Sequence, residues 1–215
     1  DTVFSMDGSI AALNDLYRIC QNYSALLYLD DAHGTGVIGG HSPLSNGRGA
    51  LSHFDLKPEH WIIQMGTLSK AFGSFGAFVA GTRDVIEWLK NTSRPFMFST
   101  ALPTPVIAAS LAALEIIEND NIIIKRLWNN RERLFNALKA LGLDTGGSET
   151  PIIPILMKDV AGAAGLSRRL FEKGIYAPAI RPPTVKQPRL RLTVTASHTE
   201  EDIERLSEAL KVLLS

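Results

Sequence analysis

The sequence contains a single cysteine, Cys20, and has no excess of charge of either sign. One cysteine cannot form a disulfide within the chain, so a disulfide-stabilised scaffold is excluded. Lys and Arg together number 22, as do Asp and Glu, and this balance gives no indication of binding to nucleic acid or to a membrane surface. No apolar run approaches the ~20 residues that a membrane-spanning helix needs. From these absences we expect a cytoplasmic protein.

The P-loop and the HExxH metal motif are also missing from the sequence. Its five histidines do not show zinc-ligand spacing with Cys20. We therefore expect no metal site, and the chemistry has to be sought elsewhere in the chain.

Short apolar runs alternate with helical patterns over the first half of the chain. Apolar runs at residues 25–29, 61–65 and 75–80 predict buried strands. Apolar residues spaced three and four apart over residues 10–23 and 103–119 predict helices. This βαβ-like order predicts an α/β fold in which helices cover a mostly parallel sheet.

After about residue 119 the pattern is that of a small α+β domain. A strand over residues 152–157 contains Pro154, which predicts an edge strand because proline donates no hydrogen bond to a sheet. A second strand follows over residues 190–196, and Thr199 with Asp202 predicts a capping box for the last helix. We therefore predict two domains, over residues 1–119 and residues 120–215.

The first residues of the chain do not look like a natural beginning. Thr2 to Ser5 is typical of the end of a strand that is already in progress, and such a strand needs a partner from elsewhere. We therefore expect the chain to be a fragment or a partial gene product.

Polar clusters follow the first two predicted strands. Asp30 and His33 follow one strand, and Thr67, Ser69 and Lys70 follow the next. The carboxyl ends of parallel strands meet at one edge of a sheet, where ligands bind, so the two clusters could face one crevice. A carboxylate, an imidazole and a lysine together suit pyridoxal 5′-phosphate (PLP), which needs a lysine for attachment and an anion beside its ring nitrogen. Each signal alone is weak, because such an aspartate is often a cap and such a lysine is often a surface group.

Five motifs occur in order along the whole chain: FSMDG (4–8), DDAHGTG (30–36), GTLSKAFGSFG (66–76), FSTALP (98–103) and RPPTV…RLRLT (181–193). Together they resemble the α-oxoamine synthase family of fold-type I PLP enzymes. The resemblance implies a fold-type I PLP-transferase fold. Residues 1–119 would be the C-terminal part of the PLP-binding large domain and residues 120–215 the small C-terminal domain, with the family's N-terminal half absent.

The resemblance also implies two catalytic residues and their closest neighbours. Lys70 matches the lysine that attaches covalently to PLP, and His33 matches the histidine that hydrogen-bonds the 3′-oxygen of its ring. Asp30 matches the acid that pairs with the ring nitrogen. Asp31 is expected to make loop hydrogen bonds rather than to take part in the chemistry, and Arg189 to be structural or solvated.

Further roles are implied at the edges of the site. Ser5 matches a serine near the 3′-oxygen of the cofactor, Thr67 matches a phosphate ligand, and Thr100 matches a residue that reaches the phosphate in the other subunit. Thr184 looks like a substrate contact. Arg191 matches the arginine that binds the amino acid carboxylate, for which a guanidinium group is well shaped.

The family's reaction is a decarboxylating condensation of an amino acid with an acyl thioester, carried out by a homodimer whose active sites contain residues of both subunits. The run of motifs, RPPTV above all, favours L-alanine and a pimeloyl thioester. The alternatives are glycine with an acetyl thioester, another α-oxoamine synthase reaction, or a truncated remnant without activity. The motifs do not indicate whether coenzyme A or acyl carrier protein carries the acyl group. We expect the chain by itself to be inactive.

Overall fold

The computed structural model describes residues 1–40 and 46–214, and the chain divides into two compact units. The first unit consists of Asp1–Val3 and Ala11–Ile124, and the second of Phe4–Ile10 and Lys125–Ser215. The assignment of a cofactor-binding domain to residues 1–119 and of a small domain to residues 120–215 stays a prediction.

The first unit contains three strands and the helices that flank them. Its elements are α1 (Leu13–Asn22), β1 (Leu27–Asp30), α2 (Ala50–His53), β2 (Ile62–Thr67), β3 (Ala77–Ala80), α3 (Arg83–Thr92), α4 (Arg94–Met97) and α5 (Thr104–Asn119), and α6 (Asn121–Ala140) begins here. Each apolar run of the sequence forms a strand, and each predicted helix is present with small shifts at its ends. The short helices α2 and α4 were not predicted.

The sheet of the first unit has the order β1-β2-β3. β1 and β2 are parallel, with Leu27 opposite Ile62 and Asp30 opposite Met65. β2 and β3 are antiparallel, so the described strands form one parallel pair and one antiparallel pair in an α/β fold. The parallel pair brings the carboxyl ends of β1 and β2 to the same edge of the sheet.

The expectation of a strand end over residues 2–5 is met only at Val3, which forms a single β-bridge. Thr2 donates its backbone N–H to the carbonyl of Asp30 at 2.9 Å, but the chain then turns at residues 5–7. The backbone N–H of Gly8 donates to the carbonyl of Phe4 at 2.8 Å and closes this turn. Gly8 has a φ of +68°, a left-handed conformation that glycine adopts without strain.

The second unit is an antiparallel sheet covered by helices. Its elements are the C-terminal part of α6, β4 (Ile152–Leu156), α7 (Val160–Glu172), β5 (Ala179–Ile180), β6 (Arg189–Thr193) and α8 (Glu200–Leu214). The strand order is β4-β6-β5, so β4 with Pro154 is an edge strand, as predicted. Buried side chains of the three helices and of β4 and β6 form one core, including Leu138, Ile153, Leu166, Leu190 and Leu210.

The N-terminus of α8 has the predicted capping box. The backbone N–H of Thr199 donates to the Asp202 carboxylate at 2.9 Å, and the backbone N–H of Asp202 donates to the Thr199 hydroxyl at 3.2 Å. The hydrogen bonds from Thr199 to the carboxylate lower the pKa of Asp202 below its ordinary value of 3.8. The bond from the Thr199 backbone N–H is the largest cause. The start of α8 is therefore fixed by two reciprocal bonds.

The described residues offer neither a membrane-spanning helix nor a metal-binding cluster. Within residues 1–40 and 46–214, no helix combines the length and the apolar character that crossing a membrane requires. Over the same part of the chain, no group of three or more His, Cys, Asp and Glu side chains is arranged to hold a metal ion.

Candidate active site

Asp30 and Thr67 end two neighbouring parallel strands at one edge of the sheet. Asp30 is the last residue of β1, and β2 continues for two residues beyond Met65, the partner of Asp30, to end at Thr67. Lys70 follows three residues later. The structure thus brings together the two polar clusters that the sequence placed after separate strands.

The carboxylate of Asp30 is half-buried and faces its own loop. Its Oδ1 accepts a hydrogen bond from the backbone N–H of Ala32 at 3.1 Å. Its backbone carbonyl accepts from the N–H of Thr2 at 2.9 Å, which fixes the end of β1. An ionised aspartate only accepts hydrogen bonds, so this group suits a protonated ring nitrogen as its partner.

Lys70 lies in the connection between β2 and β3, and its side chain is exposed. The hydroxyl of Thr67 donates to the carbonyl of Gly76 at 3.0 Å and accepts from the backbone N–H of Ser69 at 3.2 Å. The N–H of Gly73 donates to the carbonyl of Lys70 at 3.0 Å, and Gly73 has a φ of +60°. Lys70 therefore projects from a loop that is closed by its own hydrogen bonds. The hydroxyl of Thr67 already donates its proton to the carbonyl of Gly76. To donate to a phosphate, Thr67 would have to break this hydrogen bond.

His33 and Thr100 lie in loops of the first unit. His33 is half-buried in the connection that follows Asp30, and Thr100 is exposed between α4 and α5. His33 offers an imidazole ring and Thr100 offers a hydroxyl group in these loops. Their proposed contacts with the ring oxygen and the phosphate stay predictions.

Ser5 belongs to the second unit, in the turn over residues 4–8. This turn is held by Arg189, which is buried, donates to the carbonyl of Met6 at 3.2 Å and pairs with the Asp7 carboxylate. The hydroxyl of Thr150 donates to the carbonyl of Gly8 at 2.9 Å. The structural role expected for Arg189 is therefore confirmed, and Thr150 is an anchor of this turn that the sequence did not indicate.

Arg191 lies in β6, opposite Pro154 of β4. Its Nε is buried and has no hydrogen-bond partner in the part of the chain that the structure describes. Burial also lowers the pKa of Arg191, because it removes water from the guanidinium group. A buried N–H without an acceptor is costly, so a bound carboxylate would supply the partner that this group lacks.

The surroundings of Arg191 leave room for a small ligand. Arg191 borders a cavity of about 600 Å³ in the second unit, together with Thr193, Thr195 and His198. Thr184 is exposed in the loop before β6, and its backbone N–H donates to the carbonyl of Arg181 at 3.1 Å. A contact between Thr184 and a substrate stays a prediction.

A cavity of about 790 Å³ in the first unit was not predicted. Leu68 and Phe72, which flank Lys70 in the sequence, border it, and so do Ile107 and Leu111 of α5. None of the residues of α5 is buried, although its sequence is apolar on most sides. A helix that is apolar on most sides is typically buried. The apolar sequence of α5 was therefore the available signal that the surface of this helix needs to be covered.

Comparison with known proteins gives related chains of about twice the length. A putative 8-amino-7-oxononanoate synthase from Thermodesulfovibrio yellowstonii is 54% identical over 215 residues, which are 100% of this chain and 54% of that protein. The chain thus spans about half the length of this curated relative.

Solved structures confirm the α/β fold of a fold-type I PLP enzyme. An 8-amino-7-oxononanoate synthase from Francisella tularensis has a TM-score of 0.82 and 32% identity, over 99% of this chain and 62% of that one. A serine palmitoyltransferase from S. paucimobilis with PLP and myriocin bound has a TM-score of 0.88 and 28% identity, over 99% of this chain and 54% of that one. Residues 1–210 also match the family model described as aminotransferase class I and II, and the chain therefore belongs to that family.

Proposed function

We propose that this chain carries the cofactor-attaching and amino acid-binding residues of an 8-amino-7-oxononanoate synthase, a PLP-dependent enzyme of biotin biosynthesis. The reaction condenses L-alanine with a pimeloyl thioester and releases CO₂. The observation that carries this proposal is the meeting of Asp30 and the Lys70 loop at the carboxyl edge of the parallel pair β1 and β2. It is supported by 54% identity over the whole chain to a relative of that name.

The donors and acceptors at this edge fit PLP. When bound, PLP supplies an electron sink for charge that develops on the substrate's α-carbon. Asp30 would accept a hydrogen bond from the ring nitrogen and favour its protonated form, and Lys70 would form the covalent attachment. The Nζ of Lys70 would also be the base that takes the α-proton of the amino acid. His33 and Ser5 would orient the ring through its 3′-oxygen, and both are half-buried side chains with hydrogen-bonding atoms.

Arg191 binds the carboxylate of the amino acid. The proposal is supported by its buried Nε, which has no acceptor among the described residues, and by the cavity that it borders. Thr184 contacts the substrate from the loop before β6. The charge-assisted pair with Arg191 would hold the substrate by its carboxylate and would not distinguish one amino acid side chain from another.

The complete enzyme is a homodimer whose active sites contain residues of both subunits. Thr100 is exposed and would reach the phosphate in the partner subunit, whereas Thr67 would bind the phosphate in its own subunit. Residues 1–119 would belong to the PLP-binding domain and residues 120–215 to the small C-terminal domain. We also propose a cytoplasmic location, on the basis of the composition.

The attachment of PLP to Lys70 tests the proposal directly. We expect the complete protein to bind PLP and, after treatment with borohydride, to carry the cofactor on the peptide that contains Lys70, as read by mass spectrometry. Lys70→Ala should abolish both this attachment and turnover. Lys57→Ala, a matched change of an exposed lysine in the same unit, should leave both intact. A Lys70→Ala protein that still carries a reducible attachment would contradict the assignment.

A second candidate is another α-oxoamine synthase reaction. The solved structures include two serine palmitoyltransferases with a TM-score of 0.88, so this likeness does not separate the two reactions. Assays that pair alanine with a pimeloyl thioester, glycine with an acetyl thioester and serine with a palmitoyl thioester distinguish them. We expect the first pair to react fastest, and equal or faster turnover with another pair would change the assignment.

A further inference from the structure

The carboxylate of Asp31 is completely buried and accepts hydrogen bonds from four separate segments. Its exposed fraction is 0%. Oδ1 accepts from the hydroxyl of Thr2, and Oδ2 accepts from the Thr35 hydroxyl at 3.0 Å, the backbone N–H of Ala50 at 3.1 Å and the Gln64 amide at 3.1 Å. These donors come from the N-terminus, the loop after β1, the start of α2 and the middle of β2. Asp31 therefore ties its loop to three other parts of the first unit.

The backbone around this carboxylate is packed as closely as glycine allows. A Cβ atom at Gly34 would lie 2.0 Å from Oδ1, and one at Gly49 would lie 2.2 Å from Oδ2. The backbone of Asp31 is also used, because its N–H donates to Met65 at 2.8 Å and its carbonyl accepts from Thr35 at 2.9 Å. A side chain at either position would therefore collide with the carboxylate in its present place.

Burial of this group has a cost that the hydrogen bonds offset in part. Loss of water raises the pKa of Asp31 above its ordinary value of 3.8, and the hydrogen bonds, led by that from Thr2, act in the opposite direction. A buried carboxylate is retained in a fold only when its acceptors are satisfied, and here each oxygen has a donor. In the DDAH sequence Asp31 directly follows Asp30 and lies two residues before His33.

We infer that Asp31 is the positioning residue of the candidate site, holding Asp30 and His33 at the carboxyl edge of β1 and β2. This rests on the proposed function, in which Asp30 and His33 face the cofactor. In this proposal Asp31 acts through its two neighbours in the DDAH motif and has no contact of its own with cofactor or substrate. Movement of the loop would break the hydrogen bonds from Thr2, Ala50 and Gln64 together. Asp30 and His33, which lie on either side of Asp31 in the sequence, are therefore held in one orientation relative to β2.

The test compares variants at Asp31 with an equally destabilised variant elsewhere. Asp31→Ala removes the acceptor, whereas Asp31→Asn keeps the shape and an acceptor oxygen and should rescue the effect. Ile62→Ala is the matched control, because Ile62 is buried at the start of β2, opposite Leu27 and away from the Asp30 edge. Thr35→Val removes one donor but keeps Asp31, so it remains informative if Asp31→Ala does not fold.

Two readouts on the complete protein separate positioning from general stability. In cofactor-free protein, we expect Asp31→Ala to shift the imidazole NMR signals of His33, Thr35→Val to shift them less in the same direction, and Ile62→Ala to leave them unchanged. With PLP added, Asp31→Ala should raise its Kd by about tenfold or more, which corresponds to about 1.4 kcal/mol. Asp31→Asn should restore most of that affinity.

The outcomes remain distinguishable if the proposed function fails. If the wild-type protein binds no PLP, the proposed function is wrong, but the His33 signals still report whether Asp31 holds the loop. If Asp31→Ala or Thr35→Val leaves the His33 signals as they are in the wild type, or if Ile62→Ala shifts them equally, Asp31 is only a structural residue and the inference is overturned.

Discussion

Arg191 shows at the scale of a single residue how a buried polar atom indicates a ligand. Its neighbours Leu190 and Leu192 point into the core, and alternation along β6 places Arg191 on the other face of the sheet. A guanidinium group stays protonated at neutral pH even with the lowered pKa that burial causes. The Nε, which has no acceptor among the residues described, thus provides a positively charged donor for an anion.

We predict that Arg191→Ala raises the KM for alanine far more than the KM for the acyl thioester. Loss of a charge-assisted hydrogen bond costs about 1.5–3 kcal/mol, which corresponds to about 10- to 150-fold in kcat/KM for the amino acid. Steady-state kinetics of the complete enzyme, with each substrate varied in turn, measures this. Arg168→Ala, which removes an exposed arginine of α7, serves as the control and should change neither KM. An equal effect of Arg191→Ala on both substrates would contradict a role in carboxylate binding.

At the scale of elements, the capping box of α8 contributes to the free energy of unfolding, and single substitutions can measure that contribution. Thr199 accepts from the backbone N–H of Asp202, which has no partner within the helix. We predict that Thr199→Ala lowers the free energy of unfolding by about 1 kcal/mol, whereas Thr199→Ser, which keeps the hydroxyl, changes it little. Urea unfolding at neutral pH measures both. A loss as large for serine as for alanine would show that the methyl group, and not the cap, matters.

Acid should weaken the same cap. The pKa of Asp202 is lower in the folded protein than its ordinary value of 3.8, so its ionised form favours folding. This contribution is complete above pH 3.8 and is lost as the pH falls through the lowered pKa. We predict that Asp202→Asn reduces the fall in stability on acidification in this range, and that Glu204→Gln on the same helix does not. Urea unfolding between pH 7 and pH 3 measures the difference, and parallel curves for wild type and Asp202→Asn would refute the assignment.

The elements also show what the sequence could and could not indicate. Periodicity predicted α1 and α5, and Pro154 indicated the edge position of β4, because these signals are local. The direction of β3 was also accessible: residues 68–76 are too few for a parallel crossover, which needs a dozen or more residues. The four donors to Asp31 were not accessible, because Thr2 and Gln64 lie far from it in sequence. The motifs indicated the candidate site residues, but the contacts that hold them needed the fold.

At the scale of the whole molecule, the first unit exposes an apolar surface around Thr100. Phe96 and Phe98 are 66% and 76% exposed, and Leu111 and Leu114 of α5 are exposed as well. Contiguous apolar surface of this kind marks an interface or an aggregation site in most proteins. The surface contains the FSTALP segment, from which Thr100 would reach the partner subunit. In the proposed homodimer, this surface would lie at the contact between two copies of the complete enzyme.

We predict that Phe98→Glu in the complete protein converts the dimer to a monomer and abolishes turnover. A carboxylate at the centre of an apolar interface loses its water without gaining a partner, so association becomes unfavourable. Phe171→Glu is the matched control, because Phe171 is 67% exposed on α7 of the second unit and makes no part of this surface. Sedimentation measures the mass of each variant, and circular dichroism shows whether it is folded. A folded Phe98→Glu protein that remains a fully active dimer would exclude this surface as the interface, and Thr100 would then lose its role across the subunits.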